Sequence, residues 1–175
     1  MTGTLQAGLL CIGSAIATPS AAQTVDLAEL RIRGVPPTAR RAAVGAAFGL
    51  PDSLALTYAE CGAFGPGHIR TLCYPGVRYA RTSDEGDTAD ANAEFRLARL
   101  RFSPGDGFAV EYRGRSLSAE TSFTELNFAF GKPLQIIRGD RTEGHAMVWC
   151  RGYDAALIAR WRGGYLVELE YWEPC

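Results

Sequence analysis

The sequence predicts an α+β fold in which two tandem helix-plus-four-strand repeats form one antiparallel sheet, with helices packed on one face. Three observations predict it. Ala47-Phe48-Gly49-Leu50-Pro51 returns as Ala129-Phe130-Gly131-Lys132-Pro133, an internal echo of the kind that marks repeated units. Each copy closes a helical stretch, because glycine supplies the left-handed residue where a helix stops and proline cannot continue one. Runs of alternating apolar and polar residues follow each copy, which is the period of a half-buried strand. Residues 1–22 then read as a leader, 23–116 as the first repeat and 117–175 as the second, in one globular unit.

The first helix is expected over 37–48, opened by Pro36-Pro37 and presenting Ala43, Ala46 and Ala47 as a small-residue face. The second is announced by Ser122 and Glu125, a capping box in which each side chain satisfies an unpaired backbone N–H. Phe123, Leu126 and Phe130 then form one apolar stripe. Strands are expected at 54–59, 69–80, 94–102 and 108–113, and again at 134–138, 145–150, 156–162 and 165–172. Pro104-Gly105-Asp106-Gly107 and Gly163-Gly164 serve as hairpin turns. Phe108, Val110 and Tyr112 share one face, opposed by Ala109, Glu111 and Arg113. Tyr165, Val167, Leu169 and Tyr171 likewise oppose Leu166, Glu168, Glu170 and Trp172. One sheet face is thus expected to be buried and the other wet and charged. Trp149 and Trp161 are expected in the core or half-buried.

The first 22 residues carry no charge, and their apolar run, residues 5–17, is shorter than the roughly 20 residues that span a bilayer. Ser20 and Ala22 stand at −3 and −1 of a cleavage point before Gln23, as in a secretory signal peptide. A periplasmic or secreted location follows, with no membrane insertion of the mature chain. Leu9-Leu10-Cys11 raises lipidation as a rival, against which stands the bulky Leu10 where a small residue belongs. Removing the leader leaves Cys61, Cys73, Cys150 and Cys175, an even count that favours bridges in an exported domain. Three connectivities are open. Pairing Cys61 with Cys73 and Cys150 with Cys175 keeps each loop within one half, and each such bridge is worth about 3 kcal/mol.

Eighteen basic residues against 19 acidic ones, for a net charge of −1, give no general attraction to nucleic acid or anionic lipid. Lys132 is the only lysine, so arginine carries the positive charge. No Gly-x-Ser-x-Gly elbow, His-Glu-x-x-His, P-loop or Gly-x-Gly-x-x-Gly occurs. His68 and His145 are the only histidines, and Ser116 and Ser118 are the nearest to exposed nucleophiles. No catalytic set, metal or cofactor is expected from them. Asp84, Glu85, Asp87 and Asp90 lie in a polar loop and miss the alternate spacing of a calcium loop. The candidate recognition surface is the wet sheet face, carrying Arg99, Arg101, Glu111, Arg113, Glu168, Glu170 and Trp172. Arginine and tryptophan are enriched in binding hot spots, although interleaved Arg and Glu can also pair with each other across strands.

The order helix, Phe-Gly-x-Pro, four strands, given twice, resembles the tandem α-β4 architecture of the beta-lactamase inhibitor protein family. It is also similar to the single-repeat fold of small outer-membrane assembly lipoproteins. Cys61 and Cys73 look like the inhibitor family's first-repeat bridge, with Cys150 and Cys175 in the part of its second. The closing Glu170-Tyr171-Trp172-Glu173-Pro174-Cys175 looks like the end of a group of exported bacterial proteins. The resemblance carries over the repeat architecture but no inhibitory loop residue, so beta-lactamase as a target does not follow. Tandem repeats with two bridges and no catalytic set point to a non-enzymatic domain that binds another protein, an enzyme or toxin, by steric occlusion as an inhibitor or immunity-type partner. An envelope assembly factor tethered at the outer membrane is the second expectation, and a small hydrolase using His68 or His145 the third.

Overall fold

The computed structural model describes residues 24–60, 64–83, 90–131 and 134–174. Of these residues, 53% lie in strands and 14% in helices, so the fold is mostly β. Along the chain come β1 (Thr24–Val25), β2 (Leu30–Arg31), β3 (Thr38–Arg40), α1 (Arg41–Phe48) and β4 (Ser53–Ala59). Next are β5 (Gly67–Tyr74), β6 (Val77–Ser83), β7 (Glu94–Arg101), β8 (Ala109–Tyr112) and β9 (Arg115–Ser118). The chain closes with α2 (Phe123–Phe130), β10 (Ile136–Gly139), β11 (Gly144–Cys150), β12 (Ala156–Arg162) and β13 (Tyr165–Trp172).

Ten strands make one sheet in the order β1-β11-β12-β13-β7-β6-β5-β4, with β10 also on β11 and β3 also on β7. β1 runs parallel to β11, so the sheet is mixed. A second sheet, β2-β8-β9, stands apart. These findings correct the expected fold class: the chain is not two helix-plus-four-strand repeats forming one antiparallel sheet with a helical layer. Each helix is only eight residues long. Buried side chains of both sheets, with Val44 and the inward residues of α2, form one continuous core.

The corrections have local causes. Thr38–Arg40 leaves the expected helix because it pairs with Glu94–Arg96 of β7; α1 then begins at Arg41, its first N–H groups donating to the carbonyls of Ala93 and Ala91 at 2.8 and 3.0 Å. Its buried residue is Val44, while Ala43 and Ala46 face solvent. The strand expected over 69–80 is two strands hinged at Pro75-Gly76, where Gly76 takes φ +71°, as a Pro-Gly turn requires. β13 carries an irregularity. Arg160 pairs with Glu168 but Trp161 pairs with Leu166, so Val167 is the extra residue of a bulge. The bulge puts Leu166 in the core and leaves Tyr165 exposed, reversing both from the simple alternation.

α2 follows its sequence signals closely. Ser122 and Glu125 form the reciprocal capping box, and Phe123, Leu126, Ala129 and Phe130 are buried. Ser122→Ala should cost about 1 kcal/mol, the ordinary worth of a side-chain cap, read as a shift of the urea midpoint at unchanged slope. Among the described residues no helix is long and apolar enough to cross a membrane.

Candidate functional site

Residues directly opposite in an antiparallel ladder share a face, and the register assembles three rows on the outer face of the large sheet. The first runs Arg78, Arg99, Glu170, Ile158, Met147 across β6, β7, β13, β12 and β11. The second runs Arg101, Glu168, Arg160, His145, Arg138 across β7, β13, β12, β11 and β10. The third is Trp172, Ala156, Trp149. The two tryptophan rings meet edge to face with centroids 6.3 Å apart, and the alanine between them in register is fully buried.

The charged rows are knit together. Arg99 donates to Glu170 at 2.5 Å and lies 3.7 Å from Glu168, while Arg101 donates to Glu168 at 3.0 Å. Arg160 bonds both carboxylates, Glu170 at 2.6 Å and Glu168 more closely. Glu168 is the most enclosed member at 12% exposure, against 59% for Arg101. Burial pushes the Glu170 carboxyl up, but hydrogen bonds and charge from Arg99 and Arg160 outweigh it and hold the group below its ordinary value. Two carboxylates thereby fix three guanidinium groups in one plane of the surface, each in a set orientation.

Five of the seven expected recognition residues thus share one surface: Arg99, Arg101, Glu168, Glu170 and Trp172. Glu111 and Arg113 do not join them. Glu111 is on β8 of the second sheet, opposite Ser116 and Arg31. Arg113 sits in the β8–β9 turn with φ +51°, bonded to Glu29 and lying over the Tyr112 ring at 5.2 Å. Besides Arg78 and Arg138 at the ends of the charged rows, two members central to the surface were not expected. Arg160 anchors both glutamates, and Trp149 is 37% exposed beside Trp172; Ala146, Val148 and Cys150 alternate against it as the inward side of β11. Trp161 is in the core at 1% exposure.

Among the remaining candidates, His68 lies on β5 with its ring 5.5 Å from Tyr58. His145 is on the outer face of β11, between Arg138 and Arg160 in register. Ser116 and Ser118 line a cavity of about 400 Å³ beside Glu120 and Glu125, with the Ser118 hydroxyl donating to Glu120 at 2.8 Å. Cys73 and Cys150 are free thiols among the described residues. Burial, helped by the charge of Glu173, pushes the Cys150 thiol up to about 12. Their expected partners Cys61 and Cys175 lie outside the described residues, as do Asp84, Glu85 and Asp87 of the polar loop. Compared with family models, with curated proteins and with solved structures, the chain matches none of them.

Proposed function

We propose that the chain is an exported, non-enzymatic domain that binds another protein, occluding it sterically as an inhibitor or immunity-type partner. The observation that carries this reading is the Trp149–Trp172 pair beside an arginine–glutamate lattice on one open sheet face. Such side chains supply large contact area and hydrogen bonds together, the composition of binding hot spots. Because Glu168 and Glu170 already hold Arg99 and Arg160 in place, docking freezes fewer side-chain rotors, a cost that otherwise reaches about 0.5–1.5 kcal/mol each. Five arginines (Arg78, Arg99, Arg101, Arg138, Arg160) stand against two glutamates in the charged rows. That excess of three positive charges suits an acidic patch on the partner and speeds encounter with it.

In the proposal, the Cys73 and Cys150 thiols are oxidised on export to Cys61–Cys73 and Cys150–Cys175 bridges. The test of function is affinity capture from the culture fluid and periplasmic extract, with the wild-type chain and a Trp149→Ala/Trp172→Ala variant of unchanged melting behaviour. A stoichiometric protein retained by the wild type and weakened about thirtyfold or more by the variant, as loss of a hot spot of about 2 kcal/mol implies, is the expected result. Retention of no protein, or equal retention by both, overturns the reading.

A further inference from the structure

The two edges of the ten-stranded sheet are built differently. At one, the outer side of β11 is divided between β1, two residues long, and β10, four residues long with a register shift. Short, irregular strands blunt an edge against further pairing. At the other edge, β4 offers seven residues that pair one-to-one with β5 without a shift. Its outer side pairs with no strand among the described residues. Ser53-Leu54-Ala55-Leu56-Thr57-Tyr58-Ala59 contains no charge and no proline, so it lacks the usual devices that discourage edge pairing.

This edge is also apolar. Leu54, Leu56 and Tyr58 alternate on one face of β4 and are 53%, 54% and 66% exposed. The inner core hardly reaches them: of the three β5 residues opposite this row only Leu72, facing Leu54, is buried, while Arg70 and His68 stand opposite Leu56 and Tyr58. The pattern is symmetric about Leu56. An antiparallel pairing of two β4 strands on a two-fold axis there sets Leu54 against Tyr58 of the second copy, Leu56 against Leu56 of the second copy, and Tyr58 against Leu54 of the second copy. Ala55 meets Thr57 on the other face. Such self-complementarity is what a closed isologous dimer needs. Arg70 and Arg70 of the second copy would lie three strand spacings apart, about 14 Å, beyond the roughly 8–10 Å over which salt leaves charges unscreened.

We propose that β4 is a homodimer edge, through which two copies join their sheets into one. The occupant is a second copy of this chain because the exposed row is complementary to itself in antiparallel register, and each apolar residue then finds an apolar partner. The three side chains expose on the order of 300 Å² per copy, below the roughly 800 Å² that each partner of a standard interface buries. The dimer is therefore reversible, with a dissociation constant in the micromolar range.

Sedimentation velocity on the whole chain, from low to high micromolar concentration, should show a monomer passing to a closed dimer. Leu56→Lys sets two lysines face to face on the axis and should weaken the dimer about a hundredfold or more, with the melting curve of the monomer preserved. Leu54→Lys and Tyr58→Glu should each weaken it about tenfold, and the double variant should restore it, because position 54 faces position 58 across the axis. A monomer at every concentration overturns the proposal. So does an open-ended polymer, or a dimer indifferent to Leu56→Lys. If β4 amides gain exchange protection only when a different protein is added, the edge belongs to a foreign strand and the proposal is likewise overturned.

Discussion

Replacing Trp161 with alanine is expected to lower the unfolding free energy by about 3–5 kcal/mol, the cost of emptying a large aromatic site in a packed core. The side chain is 1% exposed and is among the largest that are fully buried. Its ring lies 4.8 Å from that of Phe123 on α2, and its Nε1–H donates to the carbonyl of Asp140 at 2.7 Å. That carbonyl belongs to the β10–β11 turn, where the Asp140 carboxylate accepts the N–H groups of Thr142 and Glu143 at 2.6 and 3.1 Å. Trp161 thus ties α2 and the β10–β11 turn to β12. Gly144 makes room for it, since a Cβ there would lie 2.9 Å from the Trp161 ring and 2.5 Å from the Arg138 carbonyl. Against a whole-domain stability of about 5–15 kcal/mol, that loss is roughly a fifth or more of the total. Trp161→Phe separates the contributions. It keeps most of the ring contact and leaves the Asp140 carbonyl without its donor, for a loss of about 1–3 kcal/mol. Urea titration of the three proteins gives the comparison, and an alanine variant within 1 kcal/mol of wild type, as a small surface effect would give, contradicts the packing described.

What the sequence makes legible is local. Ser122 and Glu125 announce α2 because a capping box is a contact between residues three apart. Gly163-Gly164 announces the β12–β13 hairpin, since both glycines take positive φ, +62° and +81°, as the favoured two-residue turns demand. The β8–β9 hairpin escapes notice for the converse reason. Its turn is Arg113-Gly114, and an arginine at φ +51° carries none of the usual turn signature. β1, β2 and β3 are two or three residues long and exist only because a distant strand offers backbone partners. That information sits in the partner, not in the segment. The same limit hid the overall architecture: the repeated Ala-Phe-Gly-x-Pro marks two helix ends, but it does not say that a second sheet forms or that β1 joins β11 in parallel. The site was half-legible for related reasons. Alternation correctly brought Arg99, Arg101, Glu168, Glu170 and Trp172 to one face. It drew Glu111 and Arg113 into the same group because it cannot tell one sheet from another. Arg160 and Trp149 were readable from their alternation with inward neighbours, but an apolar strand draws attention to its core side.

The double exchange Glu168→Gln/Glu170→Gln is expected to cost about 2–3 kcal/mol at neutral pH and nearly nothing in strong acid. Removing one side of a buried ion pair costs about 3–5 kcal/mol, and partial exposure of Arg99 (28%), Arg160 (37%) and Arg101 (59%) discounts that through solvent screening. The amides keep the shape of the carboxylates and remove their charge. Three arginines then face one another, with Arg78 directly opposite Arg99. The pH dependence follows from Glu170, whose carboxyl Arg99 and Arg160 hold below its ordinary value despite burial. A carboxyl with a lowered folded-state pKa stabilises fully above its unfolded value, about 4.3, and loses that stabilisation as pH falls through the folded value. Wild type and variant should therefore differ by a constant amount from pH 6 to 8, begin to converge as pH falls below about 4.3, meet below the lowered folded-state value of Glu170, and also converge as salt is raised at neutral pH. Urea unfolding across that range measures it. A gap that stays open in acid would mean that the glutamates serve by packing, and that the arginines of this face are oriented by something other than the charges that meet them.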